Sequence, residues 1–301
     1  MIKRTLYFGS PAYLFLERRQ LVVESPGEAG RQRLGQVPVE DVGLLVMDHP
    51  QITVTHPLLI AIQQQNGIVL SCDEHHLPIG ILHPLYANTQ HTEIIRAQAA
   101  ASLPLKKQLW KQTIKQKIDN QAGVLRAIGF KPIRLQDMAK RVRSGDPDNL
   151  EAQAAAFYWP KVFDTETRFY RKREGLPPNN ALNYGYAILR ALVARALVGS
   201  GLHPALGIQH RNKYNPFCLA DDIMEPYRPY VDAHVLSVWN EYGDLEELNR
   251  TIKGGLLRVP ELDVRINGKQ KPLQVGVQQT AATVARCFRD GKGTILYPKW
   301  P

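Results

Sequence analysis

The chain has 301 residues, of which 44% are hydrophobic and 22% charged, so it can bury a large core and has the composition of a soluble globular protein. Its three cysteines lie far apart, which argues against a disulfide framework or a cysteine-rich zinc site and indicates a reducing cytoplasm. No unbroken apolar stretch reaches the roughly 20 residues that span a bilayer. We therefore expect a cytoplasmic protein without a membrane segment.

The net charge of +10 is unevenly distributed along the chain. Residues 1–87 carry six Lys and Arg against eight Asp and Glu, a net charge of −2, whereas residues 88–301 carry a net charge of +12. A basic region beside a mildly acidic one favours contact of the second region with a polyanion such as nucleic acid. A need for solubility alone would explain the net charge but not this asymmetry.

The first 85 residues predict short strands separated by turn residues. The polar residues 26–35 predict a hairpin tip, and a short helix follows Thr55. From about residue 92 the apolar spacing becomes helical, and a hairpin-like excursion interrupts it near residues 256–269. The sequence thus predicts an α+β protein of two domains: a β-rich domain, residues 1–87, followed by an α-helical domain, residues 88–301.

The first helices of the second region are basic. Pro104 predicts a boundary between two helices, and residues 96–118 contain six basic residues and no acid. Lys107, Lys111 and Lys115 recur every four residues, so they form a positive row on one helix face. A solvated face is the plain alternative, but such faces usually mix charges, and a polyanion contact is the better interpretation.

Two further segments carry candidate functional residues. A polar loop at residues 144–149 opens a helix with Glu151 in its first turn, where a carboxylate can simply match the helix dipole. Residues 159–175 interleave basic and aromatic side chains, among them Arg168 and Arg171. This composition suits phosphate contacts and base stacking, or a loop that its aromatic side chains pack.

The stretch of residues 207–232 holds His210, Asp222 and Glu225. On a helix that begins near Pro216, the two carboxylates are three residues apart and share a face. Two carboxylates beside a packed face are costly without a cation, and an imidazole from the preceding loop would complete a site for a hard divalent metal. The alternative is a capping aspartate, a solvated glutamate and a surface histidine, and this stretch alone leaves both open.

The sequence contains none of the glycine-rich nucleotide-binding motifs, no HExxH and no GxSxG. Any phosphate chemistry is therefore expected to depend on the substrate and a metal, without bound ATP.

Several motifs follow one another in a specific order: KIDNQ at residues 117–121, EAQAAAFY at 151–158, NALNYGYAIL at 180–189, His210, NPFCLADD at 215–222 and MEPYRPYVD at 224–232. Together they resemble the CRISPR-associated integrase, the metal-dependent endonuclease subunit that inserts new spacers. The resemblance covers essentially the whole chain. The wording DIMEPYRP at residues 222–229 is similar to members that accompany type II systems.

This resemblance implies a β-rich dimerisation domain, an all-α catalytic domain, and a small ferredoxin-like CRISPR-associated protein that bridges two integrase homodimers. The family's metal ligands fall on Glu151, His210 and Glu225, the last being aspartate in many members. Asp222 matches a further acidic position, either an alternate ligand or a support for the ligands. The expected ion is Mg²⁺ or Mn²⁺, because one imidazole with carboxylates suits a hard, labile cation.

The activity that the resemblance implies is insertion of protospacer DNA by attack of its 3′-hydroxyl on a phosphodiester of double-stranded repeat DNA. Water in place of the hydroxyl would give nuclease activity. Five basic residues are candidate phosphate contacts: Arg168, Arg171, Arg211, Lys213 and Arg228. Two alternatives remain, a non-catalytic DNA-binding scaffold and a metal-dependent phosphodiesterase acting on RNA or branched DNA.

Overall fold

The computed structural model describes residues 3–27, 30–74, 78–85, 88–163, 169–172, 174–243 and 245–301. The chain divides into two compact units, Met1–Ala87 and Asn88–Pro301.

The described part of the first unit contains two four-stranded sheets and one helix. Its elements are β1 Arg4–Phe8, β2 Ala12–Glu17, β3 Gln20–Gly27, β4 Gly30–Pro38, a 3-10 turn Val39–Asp41, β5 Val42–Met47, β6 Ile52–Val54, α1 His56–Gln64, β7 Ile68–Cys72 and β8 Pro78–Leu82. One sheet has the order β1-β5-β7-β8, with parallel pairs up to β7 and an antiparallel β8. The other has the order β4-β3-β2-β6, in which β6 runs parallel to β2.

Apolar side chains from both sheets and from α1 form one core, which includes Leu14, Leu45, Leu58 and Ile62. Strands β3 and β4 pair as far as Gly27 and Gly30, so most of residues 26–35 are strand and the predicted hairpin tip was too long. That segment is polar because most of β4 is exposed at the edge of its sheet.

The second unit is helical. Its described elements are α2 His91–Ala99, α3 Leu103–Ala127, α4 Ile133–Arg141, α5 Leu150–Val162, α6 Asn179–Gly199, α7 Cys218–Met224, a 3-10 turn Glu225–Tyr227, α8 Arg228–Tyr242, α9 Arg250–Leu256, a 3-10 turn Val259–Glu261, β9 Asp263–Ile266, β10 Lys269–Pro272 and α10 Leu273–Asp290. Helix α3 begins as predicted, with Pro104 in its first turn and Ser102 accepting a hydrogen bond from the Leu105 amide.

Helix α6 forms the centre of this unit. It is long and apolar enough to cross a membrane by length and composition, but 83% of its most apolar window is buried inside the protein. This burial is typical of a core helix in a globular domain. Helices α7, α8 and α10 pack against α6.

The predicted α+β organisation, strand-rich first and helical second, is confirmed. The second unit also contains the β9–β10 hairpin, close to where the sequence predicts a hairpin-like excursion. Its two-residue turn is Asn267-Gly268, and both residues have positive φ, as a type I′ turn requires.

Candidate active site

Two carboxylates from distant parts of the chain meet around one lysine. Glu151 lies in the first turn of α5, where Asp146 caps the helix by accepting hydrogen bonds from the Leu150 and Glu151 amides. Glu225 is the first residue of the 3-10 turn that follows α7. The Nζ atom of Lys117, on α3, lies 2.6 Å from Oε1 of Glu151 and 2.6 Å from Oε2 of Glu225.

Burial makes this cluster electrostatically tight. The Lys117 and Glu225 side chains are only 11% and 6% exposed, and the Nε atom of Arg228 lies 2.8 Å from Oε1 of Glu225. Burial alone would lower the pKa of Lys117, but the charges of Glu225 and Glu151 outweigh it, and this pKa is raised. Burial alone would raise the pKa of Glu225, but Arg228 and Lys117 outweigh it, and this pKa is lowered. Both groups are therefore charged at neutral pH.

His210 lies at the end of a loop that Asp222 holds in place. Asp222 is fully buried and accepts hydrogen bonds from the backbone amides of Ile208, Gln209 and His210, at 2.6, 3.0 and 3.2 Å. The loop needs glycine at Gly207, because a Cβ there would lie 2.4 Å from the carbonyl oxygen of His210. Sequence and backbone thus place the imidazole beside one particular carboxylate.

The ring of His210 is oriented by the same carboxylate. Its Nδ1 atom lies 2.6 Å from Oδ1 of Asp222, and this hydrogen bond is the largest cause of the raised pKa of His210. The edge of the ring meets the indole of Trp110 at a centroid distance of 6.0 Å. Because Nδ1 is engaged, Nε2 is the nitrogen through which His210 could bind a metal.

The two carboxylates predicted to share a helix face have different partners. Asp222 faces the loop before α7, whereas Glu225, three residues later, faces Lys117 and Arg228. Asp222 therefore supports His210, one of the two roles expected for it. Asp221 points elsewhere, to Arg190 and Asn215, each at 2.7 Å.

The three expected ligands are not gathered into one cluster. Among the described residues, no group of three His, Cys, Asp or Glu side chains is close enough to hold a metal ion. Glu151 and Glu225 meet around Lys117, while His210 is bonded to Asp222. The assignment of Glu151, His210 and Glu225 as a ligand set stays a prediction.

The residues present nevertheless fit a divalent cation. Two carboxylate oxygens already lie 2.6 Å from a single positive charge. Oε2 of Glu225 is buried and, apart from the Lys117 ammonium group at 2.6 Å, has no hydrogen-bond partner among the described residues. Carboxylate oxygens and an imidazole nitrogen are suitable ligands for Mg²⁺ or Mn²⁺.

A cleft of about 220 Å³, lined by the basic residues Lys117, Arg171 and Arg228, adjoins Glu225. The guanidinium groups of Arg171 and Arg228 both lie over the ring of Tyr186, at 5.3 and 4.5 Å from its centroid. Arg171 is also held by the side-chain oxygens of Asn179 and Asn183, at 3.0 and 2.6 Å. Two of the five candidate phosphate contacts therefore line one cleft beside Glu225.

The other three candidate phosphate contacts lie apart from this cleft or outside the described structure. Arg211 and Lys213 are exposed on the loop after His210, and Nζ of Lys213 lies 4.9 Å from the ring centroid of Tyr214. Arg168 lies outside the described residues. The predicted positive row on α3 is partly neutralised, because Lys115 pairs with Asp119 at 2.7 Å.

Sequence reasoning missed two features of the site. Lys117 was noted only as part of a family-like motif, yet its ammonium group joins the two carboxylates. Asp232 is buried and accepts hydrogen bonds from the hydroxyls of Tyr158 and Tyr186, and burial raises its pKa to about 7. The available signal for the first was the position of Lys117, three residues after Ile114 and seven after Trp110, which is the spacing of one helix face. No local pattern marks the second.

Comparison with known proteins shows the class to which this chain belongs. The family model "CRISPR associated protein Cas1" matches residues 6–250. The CRISPR-associated endonuclease Cas1 of Neisseria meningitidis is 38% identical over 268 residues, 88% of this chain and 86% of that protein. The chain belongs to the Cas1 family, which confirms the resemblance read from its motifs.

Solved structures share the fold at lower identity. A casposase bound to integration product has a TM-score of 0.78 at 18% identity, over 98% of this chain and 92% of the casposase chain. A CAS1 protein from Thermotoga maritima has a TM-score of 0.75 at 16% identity, over 97% and 99% of the two chains. A chain of a Cas6-RT-Cas1–Cas2 complex has a TM-score of 0.72 at 18% identity, over 96% of this chain and 35% of that chain.

Proposed function

We propose that the protein is a metal-dependent DNA integrase and endonuclease, which inserts protospacer DNA into a CRISPR array by attack of a 3′-hydroxyl on a phosphodiester. The observation that carries this proposal is the pair Glu151 and Glu225, brought from distant elements to one cation at 2.6 Å beside a basic cleft. Membership of the Cas1 family and the likeness to a casposase bound to integration product support it.

In this proposal Glu151 and Glu225 hold Mg²⁺ or Mn²⁺, with Nε2 of His210 as a third ligand. A bound ion supplies Lewis acidity to the phosphodiester and favours ionisation of the attacking hydroxyl. Asp222 fixes the His210 ring through Nδ1 and so presents the other nitrogen. Asp222 therefore acts through His210 and does not meet the substrate.

Basic side chains of the protein neutralise the remaining charge on the phosphate in this proposal. Phosphoryl transfer depends mainly on positioning and on neutralising charge on the phosphate oxygens. Lys117, Arg171 and Arg228 surround the cleft, and Arg228 is held beside Glu225 at 2.8 Å. Its pKa is raised further by Glu225 in spite of burial, so it stays charged at any working pH. Transesterification conserves the number of phosphodiester bonds, so ATP is not required.

We also propose the assembly and setting that family membership favours. Residues 1–87 form the dimerisation domain and residues 88–301 the catalytic domain of a cytoplasmic homodimer. A small ferredoxin-like CRISPR-associated protein bridges two such dimers on double-stranded DNA, as the Cas1–Cas2 composition of one similar complex favours. The assignment to a type II system stays a prediction.

The test is strand transfer of a short duplex with free 3′-ends into supercoiled plasmid, with Mg²⁺, Mn²⁺ or chelator. Glu225→Gln and His210→Ala, confirmed as folded by circular dichroism, should lose joined product, while Glu261→Gln, an exposed carboxylate of the same unit, should retain it. Normal joining by Glu225→Gln would contradict the proposal. DNA binding without breakage would identify a scaffold, and shortened RNA or branched DNA without joining would identify a phosphodiesterase.

A further inference from the structure

The segment Ile295–Trp300, near the C-terminus, is bound along α3, the helix that carries Lys117. The side-chain oxygen of Gln112 accepts a hydrogen bond from the Ile295 amide at 2.9 Å. The hydroxyl of Thr113 lies 2.8 Å from that of Tyr297. A segment with no helix of its own therefore keeps a fixed path over more than two turns of α3.

Asn120 connects this segment to the turn that carries Glu225. Its side chain is fully buried, and its nitrogen donates to the carbonyl oxygens of Pro226 and Pro298, at 2.7 and 3.1 Å. Its oxygen accepts from the amide of Trp300 at 3.1 Å. If the side-chain amide of Asn120 were flipped, its oxygen would face two carbonyl oxygens and could accept no hydrogen bond from them. Only one orientation of this amide therefore satisfies these hydrogen bonds. Pro226 directly follows Glu225 in the chain.

Thr280 on α10 makes a second connection to the same turn. Its hydroxyl donates to the carbonyl oxygen of Leu296 at 2.6 Å. The hydroxyl of Tyr227 lies 2.6 Å from the same Thr280 oxygen. Because the single proton of Thr280 is used on Leu296, the Tyr227 hydroxyl is the donor in this contact. Tyr227 is the last residue of the 3-10 turn and is fully buried.

Packing of Trp300 closes the arrangement. Its ring centroid lies 4.9 Å from that of Tyr230, the third residue of α8. Gly123 provides the space on α3, because a Cβ there would lie 2.3 Å from Cγ of Trp300. The segment thus contacts α3, α10 and α8, and it reaches the two residues that follow Glu225 through Asn120 and Thr280.

We propose that the hydrogen bonds of Asn120 and Thr280, which join the segment Ile295–Trp300 to the Glu225–Tyr227 turn, are positioning contacts of the catalytic centre. They hold the Glu225–Tyr227 turn so that the Glu225 carboxylate faces Lys117, which lies one turn before Asn120 on the same helix. This inference rests on the proposed function, since it assigns the segment a role in presenting a metal ligand. A segment that merely completed the core would affect stability without affecting metal binding.

The chain offers a matched control, because Thr113 and Asn120 tie the same segment to the same helix. Of these two residues, only Asn120 also forms a hydrogen bond with the Glu225–Tyr227 turn. Asn120→Asp replaces a donor with a charged acceptor opposite two carbonyls. Tyr227→Phe removes one hydroxyl and keeps the ring, so it tests the same connection if Asn120→Asp fails to fold. Thr113→Val removes a hydrogen bond of the segment that does not lead to the turn.

The experiment measures Mn²⁺ binding to the DNA-free full chain by electron paramagnetic resonance of free Mn²⁺, with urea unfolding and strand transfer in parallel. We expect half-saturation to require about tenfold more Mn²⁺ for Asn120→Asp, the lower end of the range for groups that orient metal ligands, and a smaller increase for Tyr227→Phe, which loses a single hydrogen bond. Thr113→Val should stay within about twofold, even where its stability falls equally.

Equal shifts in all three variants, or no shift in Tyr227→Phe and in a folded Asn120→Asp, would overturn the inference. Glu225→Gln separates this failure from failure of the proposed function. If Glu225→Gln binds Mn²⁺ like the unmodified protein, the proposed site itself is wrong. If Glu225→Gln loses Mn²⁺ while the other variants bind it normally, only the positioning role is wrong.

Discussion

Replacing Lys117 with methionine tests whether this lysine holds a place that a divalent cation takes. The substitution keeps the length of the side chain and removes the charge that lies 2.6 Å from both Glu151 and Glu225. Glu225 retains Arg228 at 2.8 Å, and Glu151 is 29% exposed, so the carboxylates are only partly compensated. Two incompletely neutralised carboxylates should destabilise the metal-free protein and attract a cation more strongly.

The size of the effect follows from the burial of the pair. Removing one partner of a buried ion pair costs about 3–5 kcal/mol, and the remaining arginine and partial exposure favour the lower end, about 3 kcal/mol. In a unit of this size that loss lowers the melting temperature by about 6–12 °C. Binding of Mn²⁺ at about 100 times its dissociation constant raises the free energy of unfolding by about 2.7 kcal/mol. Because no lysine has to be displaced, Lys117→Met should bind Mn²⁺ about tenfold more tightly than the unmodified protein.

The assay is thermal unfolding in chelator and across a Mn²⁺ titration. Lys115→Met is the matched control, since this exposed lysine on the same helix pairs with Asp119 and should contribute only about 0.3–0.5 kcal/mol. Lys117→Met should unfold earliest in chelator and gain most from Mn²⁺. Equal melting temperatures for Lys117→Met and Lys115→Met in chelator, or no tighter Mn²⁺ binding by Lys117→Met, would refute the reasoning.

Three further predictions concern DNA binding, the His210 loop and the buried Asp232. Arg211→Ala and Lys213→Ala should each weaken binding to DNA of any sequence, and each should reduce the slope of log affinity against log salt concentration by about 0.9. Fluorescence anisotropy at several salt concentrations measures this slope. An unchanged slope would contradict a phosphate contact. Asp222→Ala should lower the free energy of unfolding in urea by about 3 kcal/mol, because it leaves three backbone amides without their acceptor. The control Asp263→Ala, at an exposed position, should change this free energy by less than about 0.5 kcal/mol. Equal effects of the two substitutions would contradict the role assigned to Asp222. Burial raises the pKa of Asp232 to about 7 from its ordinary value of 3.8, so the folded state binds this proton more tightly than the unfolded state does. The free energy of unfolding should therefore fall as the pH rises between these two pKa values, by at most about 1.4 kcal/mol per pH unit. Asp232→Asn should flatten that dependence in urea unfolding between about pH 5 and 7, and a slope that persists would contradict it.

Local patterns were sufficient to predict much of the fold. Alternating and fully apolar runs marked most strands of the first unit, and Pro104 marked the start of α3. Strand β4 could not be recognised, because an exposed edge strand has little apolar pattern to distinguish it from a loop. The extent of a strand at an edge depends on pairing with its neighbour, which a single segment does not encode.

The candidate site divides in the same way. The order of the motifs along the chain established the family resemblance, and this resemblance indicated Glu151, His210 and Glu225 as candidate ligands. The role of Lys117 depends on α3 meeting both α5 and the turn after α7, which is a tertiary contact. The different partners of Asp222 and Glu225 depend on which elements lie beside them, the loop before α7 for Asp222 and helix α3 for Glu225, and these are also tertiary contacts.

Anomalous scattering from Mn²⁺ in crystals of the full chain is the most direct test of the central claim. We predict one strong peak in contact with the carboxylates of Glu151 and Glu225, with Nε2 of His210 as a third ligand and the ammonium group of Lys117 moved aside. A peak elsewhere, or no peak at saturating Mn²⁺ with Lys117 still between the two carboxylates, would contradict the account.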